Sequence, residues 1–149
     1  MKIVIASDHG GYVLKEHIKK YLEENNYDVE DVGTHSLESV DYPDFAQKVA
    51  EAVAQGQYDR GILICGTGLG ISIAANKVRG IRAAVVSESF SAKMSRLHNN
   101  ANVLALGGRV VGPDLATEIV DVWINTPFEG GRHERRVNKI MDIERKYER

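Results

Sequence analysis

Cysteine is nearly absent: Cys65 is the only one among 149 residues. That excludes an intramolecular disulfide and a zinc site built on four cysteines, and a lone thiol suits a reducing compartment. Long apolar runs are missing too. None approaches the roughly eighteen residues of a membrane helix. The stretch from Met1 to Ala6 turns into polar Ser7-Asp8-His9 too early to form a signal-peptide core. The expected location is the cytoplasm, with no membrane partner. Charge of one sign is also scarce. With 19 Lys and Arg against 21 Asp and Glu the formal net charge is −2, so no global field draws the chain to nucleic acid. Any anion site must be a local cluster of cations.

What is present is an ordinary globular composition, 43% hydrophobic and 27% charged. The length suits a single domain, residues 1–149, whose core needs neither disulfide nor structural metal. Short β-rich runs occur at residues 2–6, 28–32, 61–64, 83–86 and 103–106. Helical spacing lies between them: Leu14, Ile18, Tyr21 and Leu22; Phe45, Val49, Ala52 and Val53; Leu115, Ile119, Val122 and Trp123. The alternation predicts an α/β fold, a doubly wound three-layer α/β/α sandwich on a five-stranded parallel sheet with flavodoxin-like strand order. Gly130-Gly131 precedes a last helix near residues 132–147 whose stripe of Val137, Ile140, Met141 and Tyr147 must be buried. It is expected to pack on a second subunit in a two-fold dimer, the alternative being its own domain.

In an open parallel sheet, ligands bind beyond the carboxyl ends of the strands. The segment Cys65-Gly66-Thr67-Gly68-Leu69-Gly70 follows a strand and opens a helix. Gly66, Gly68 and Gly70 let backbone N–H groups approach an oxyanion. A dinucleotide fingerprint fails at Ile71, where a third small residue is required, and no Walker lysine is present. Cys65 reads by residue type as a small hydrophobe. By position it is a thiol at a helix start, where the thiolate is favoured. Thr67 could orient it by a hydrogen bond. Arg132 and Arg136 share one face at the start of the last helix, where cations oppose the helix dipole. An external phosphate explains that choice better than local stability, with Glu134 as the competing partner. His98 and Asn99 end the helix after the fourth strand, as a proton carrier and its neighbour or as a cap and a turn. Asp8 can cap the next helix. His9 and Arg109 could complete a cationic pocket, and His17 and His35 are assigned to surface or packing.

Together these segments resemble type B ribose-5-phosphate isomerase. The matching pieces are Ser7-Asp8-His9-Gly10-Gly11, Asp41-Tyr42-Pro43, Ile64 to Gly70 running into Ile73-Ala74-Ala75-Asn76-Lys77, His98-Asn99-Asn100-Ala101-Asn102, Gly107-Gly108-Arg109 and Gly130-Gly131-Arg132-His133. The resemblance implies Cys65 as the base moving a proton between C1 and C2, His98 as the ring opener with Asn99 beside it, and Asp8 on the sugar hydroxyls. It places His9, Arg109, Arg132 and Arg136 on the phosphate, Tyr42 on the substrate, and the glycine loop around the enediolate. One branch of the family carries a glutamate base at the position of Ile71, so this chain resembles the cysteine branch. The resemblance also implies sites shared between two subunits, in a dimer or a tetramer, and a sugar-phosphate substrate. No metal or cofactor is expected, and no metal-ligand spacing is visible. Two other readings stay open: a hexose-6-phosphate isomerase of the same family, acting on allose or galactose 6-phosphate, and a phosphate- or nucleotide-binding module without catalysis.

Overall fold

The computed structural model describes residues 1–148. Strands and helices alternate as β1 (Lys2–Ser7), α1 (Tyr12–Glu24), β2 (Asp28–Asp31), α2 (Tyr42–Ala54), β3 (Arg60–Cys65), α3 (Leu69–Ala75), β4 (Ala83–Val85), α4 (Ser89–Leu97), β5 (Val103–Gly107), α5 (Pro113–Asn125) and α6 (Arg132–Lys146). Local chemistry sets several starts. Pro43 and Pro113 stand in the first turns of α2 and α5, where a missing N–H is harmless, with Asp44 and Asp114 beside them. Leu14, Ile18 and Leu22 are buried along α1 at the expected spacing. On α2 and α5 the buried stripe is rotated by about one residue. Ala46 and Ala50 are buried rather than Phe45 and Ala52, and Ala116 and Val120 rather than Leu115 and Val122. These are apolar stripes wide enough for small residues to face the sheet.

The sheet is parallel throughout, in the order β2-β1-β3-β5-β4. The expected flavodoxin-like order differs at one edge, where β5 inserts between β3 and β4. Burial explains the exchange. Every residue of β5 is buried, as a central strand requires, while β4 is three residues long and only half-buried. Right-handed crossovers then fix the layers. Ile3, Ile5, Ile62, Ile64, Leu104 and Leu106 face α1, α4 and α5 around the fully buried Trp123. Val4, Ala6, Leu63, Cys65, Val103 and Ala105 face α2 and α3. The smaller residues of that second face let α2 and α3 approach closely.

Register positions the site. Ser7 pairs with Ile64, and Cys65 with Gly107, so β1, β3 and β5 end at one level. The chain leaves β3 toward the opposite face from that taken after β1 and β5. The loop after Cys65 therefore stands alone between two diverging neighbours, where open α/β sheets bind ligands.

The last helix divides its stripe. Val137 is buried in its own chain and Met141 meets Arg82, whereas Ile140, Ile143 and Tyr147 are 45%, 62% and 73% exposed. Its far end is tied to the loop before β4 by Glu144, which accepts from the Gly80 N–H, and by the Arg79–Glu148 ion pair.

Candidate active site

The loop from Cys65 to Gly70 is held at both sides. Gly108 N–H donates to the Cys65 carbonyl at 2.8 Å and Arg109 N–H to the Gly66 carbonyl at 3.0 Å, while Asp8 N–H donates to the Ile64 carbonyl at 3.2 Å. Cys65 is 5% exposed, so its side chain is packed but not sealed. Its sulfur accepts a hydrogen bond from the Gly68 N–H at 3.1 Å, a contact that stabilises negative charge on sulfur. Gly68 makes this possible with a φ of +81°, and a Cβ there would lie 2.8 Å from the Leu106 carbonyl carbon. The Thr67 hydroxyl, expected to orient the sulfur, accepts instead from the Leu69 N–H at 3.2 Å. The orienting group is thus backbone, which residue types do not reveal.

Other expected residues gather around this loop. The Arg109 guanidinium lies over Gly66, and the Tyr42 ring lies against Gly70. Gly10 meets the Gly66 backbone. Asp8 spends one carboxylate oxygen on the Gly11 N–H at 3.1 Å, the capping bond foreseen as its simpler role. His9 accepts from the Val40 N–H at Nδ1, 3.2 Å away. That bond assigns the ring proton to Nε2 and anchors the segment before α2. The segment is fastened a second time by Lys15, whose fully buried ammonium donates to both Asp31 oxygens at 2.8 and 2.6 Å and to the Thr34 carbonyl at 2.6 Å. Burial opposes the charge on Asp31, but bonds from Lys15, the Gly33 N–H and Lys19 outweigh it and hold the carboxyl below the usual range. A cleft of about 390 Å³ opens beside the loop between Thr67, Gly107, Glu88 and Val110.

His98, Asn99, Arg132 and Arg136 form a second group. They line a cleft of about 300 Å³ that includes no residue of the glycine loop. Arg132 and Arg136 are exposed, and the ion pairs among the described residues include neither, so Glu134 does not neutralise them. His98 caps α4, and its ring stacks on that of His133, with centroids 4.1 Å apart and planes 12° from parallel. His133 was visible in sequence only as part of a charged cluster, yet it is 5% exposed. The loop after His98 is clamped by Arg82, which donates to the Asn99 and Asn100 carbonyls at 3.1 and 2.9 Å. Beneath it, Arg96 donates to the Ala101 and Thr126 carbonyls. Desolvation, with Arg60 and Arg82 nearby, lowers the Arg96 guanidinium to about 10. No sequence signal marked either clamp. Among the described residues, His98, Glu129 and His133 are the one trio whose ligand atoms approach within 4.8 Å. The nearly parallel rings aim their in-plane lone pairs side by side rather than at a common point, which does not suit a chelated metal.

The family model described as Ribose/Galactose Isomerase matches residues 3–140. The chain belongs to that family. Within the ribose/galactose isomerases it is 56% identical to ribose-5-phosphate isomerase B of Escherichia coli over 145 residues, covering 97% of each chain. Among solved structures it is similar to Clostridium thermocellum ribose-5-phosphate isomerase B, with a TM-score of 0.98, 66% identity, and coverage of 99% of this chain and 100% of that one. The Mycoplasma genitalium ribose-5-phosphate isomerase B, solved with bound ribulose-5-phosphate, aligns with a TM-score of 0.93 and 46% identity over 97% of this chain and 96% of that one.

Proposed function

We propose that this chain, as one domain, is an aldose–ketose isomerase that interconverts D-ribose 5-phosphate and D-ribulose 5-phosphate. The observation that carries the reading is the near-full-length likeness to the Mycoplasma enzyme solved with ribulose-5-phosphate. His98 opens the furanose. Cys65 then removes the proton from C2 of the open aldose, breaking the C2–H bond and giving a cis-enediolate. The same sulfur returns that proton to C1 while the O2 proton passes to O1 and the carbonyl forms at C2. The N–H groups of Gly66 and Gly70, with Thr67, face the developing oxyanion, while the Gly68 N–H stays on the Cys65 sulfur. Preorganised donors of that kind are each worth about 10²–10³ in rate. Asp8 and Tyr42 hold the sugar, with Asn99 beside the ring opener. His9, Arg109, Arg132 and Arg136 hold the phosphate. No step requires a metal or redox cofactor.

The cleft lined by His98, Asn99, Arg132 and Arg136 includes no residue of the glycine loop, and α6 and the residue after it present Ile140, Ile143 and Tyr147 to solvent. Both facts support a homodimer in which His98, Arg132 and Arg136 of one subunit complete the glycine-loop site of the other. The lone free thiol of Cys65 suits a cytoplasmic enzyme, and no helix among the described residues is long and apolar enough to cross a membrane.

Exchange of the C2 proton of ribose 5-phosphate with solvent tests the activity. Exchange with net formation of ribulose 5-phosphate is expected, and tight binding without exchange would reduce the chain to a binding module. The galactose in the family description supports a second reading, a hexose-6-phosphate isomerase. Parallel assays with ribose, allose and galactose phosphates separate the two by kcat/KM.

A further inference from the structure

We propose that His133 is a positioning residue: its buried ring, stacked face to face on His98, fixes the plane in which His98 handles the sugar-ring proton. The proposal rests on the assignment of ring opening to His98. Arg132 and Arg136 point outward from the first turns of α6, whereas His133 turns inward and is 5% exposed. Its Nε2 is buried without a hydrogen-bond partner among the described residues. The nearest acid, Glu129, stands 4.0 Å away and is itself exposed. A buried polar atom left unpaired demands an explanation, because an apolar side chain would fill the space at lower cost. What the imidazole supplies is a flat ring of matching size against His98, with centroids 4.1 Å apart and planes 12° from parallel. The chain on both sides of the stack is fixed. Glu129 N–H donates to the Leu97 carbonyl, binding the approach to α6 to the end of α4, and Arg82 holds Asn99 and Asn100 while touching Met141 of α6. Neither ring can slide without moving a helix.

The surrounding charges support this division of labour. Burial first, and then His98, disfavours a proton on His133; Arg132 and Arg136 act in the same direction, and only Glu129 opposes them. The stack therefore presents a neutral face to His98.

The experiment uses two substrates. Ribose 5-phosphate is mainly cyclic and must be opened. Ribulose 5-phosphate has its O5 esterified and enters as an open chain. His133→Ala is expected to lower kcat/KM on ribose 5-phosphate by about 10²-fold, the low end for a displaced acid–base group, with under a fivefold loss in the exchange of the C1 proton of ribulose 5-phosphate with solvent, which needs no ring to open or close. His133→Phe, which keeps a flat ring, is expected to recover most of the loss; His133→Asn, polar but without a ring, is not. Should the alanine protein fail to fold, comparison of the Phe and Asn proteins carries the test. Equal losses in both readouts, or Asn performing as well as Phe, overturn the proposal. His98→Ala is the control. Equal losses there remove the ring-opening reading and this proposal with it, whereas a selective loss in His98→Ala with none in His133→Ala overturns the His133 assignment alone.

Discussion

Gly68 donates its backbone N–H to the sulfur of Cys65 across 3.1 Å, so the thiol at the end of β3 is oriented by the loop it introduces. α3 has only seven residues, which leaves this single bond, more than any helix dipole, to stabilise charge on sulfur. Cys65→Ala is expected to lower kcat by about 10²–10⁴-fold, the range for a removed general base, while binding of ribose 5-phosphate survives. Calorimetric titration with substrate and C2-proton exchange measure the two halves. Wild-type turnover in this variant would dismiss Cys65 as the base. Gly68→Ala forces a side chain toward the Leu106 carbonyl at positive φ. It should cost roughly 1–3 kcal/mol of stability in urea melts in addition to activity.

The proposed sharing of the site between subunits predicts complementation. Cys65→Ala and His98→Ala homodimers should each be inactive on ribose 5-phosphate. Mixed under conditions of subunit exchange, they should recover about a quarter of wild-type activity, because half the dimers are hybrids and each hybrid holds one intact site. No recovery after verified exchange would place both residues in the same chain's site.

Arg132→Ala and Arg136→Ala should weaken substrate binding more than they slow chemistry. Losing a charge-assisted bond to phosphate is worth about 1.5–3 kcal/mol, which raises KM by tenfold or more. Unchanged KM in both variants would remove the pair from the phosphate site.

Asp31 and the fully buried Lys15 form an ion pair that fastens the segment before α2. Asp31→Ala leaves the buried ammonium with only the partly exposed Glu16 carboxylate, 3.4 Å away, and should destabilise the fold by about 3 kcal/mol in urea melts. The folded-state carboxyl is depressed, so its contribution is complete above the unfolded value of about 4 and is lost as pH falls through the folded one. The stability gap between wild type and Asp31→Asn should accordingly shrink below pH 4. A constant gap down to pH 2 would contradict the linkage.

Arg82 joins the loop after His98 to α6. Arg82→Met frees the exposed Asn99 carbonyl and the part-buried Asn100 carbonyl, and the second bond, made to a charged donor, is worth about 1.5–3 kcal/mol. Denaturation midpoint and turnover on ribose 5-phosphate should fall together; a variant unchanged in both would deny the clamp.

The local levels of this fold were legible and the long-range ones were not. Strands β1, β3 and β5 announced themselves because a strand covered on both faces reads as an unbroken apolar run, such as Val103-Leu104-Ala105-Leu106. The glycine loop was visible because its spacing is local. The order of β4 and β5 was misjudged because pairing depends on which strand is buried, a property of the assembled sheet. Lys15 reads as the polar side of an amphipathic helix until Asp31, sixteen residues away, comes beside it. His133 hides among charges in Arg132-His133-Glu134, and only the return of α6 toward His98 shows which way its ring turns.

The insertion of β5 between β3 and β4 has a consequence for biogenesis. A chain growing from its N-terminus completes β1, β2 and β3 as a contiguous ribbon, but β4 has no neighbour until residues 103–107 have been made. Until then the exposed flank of β3 and the orphaned β4 invite intermolecular pairing. Fragments ending before residue 103 should thus be aggregation-prone, and closure of that half of the sheet is a late event of synthesis.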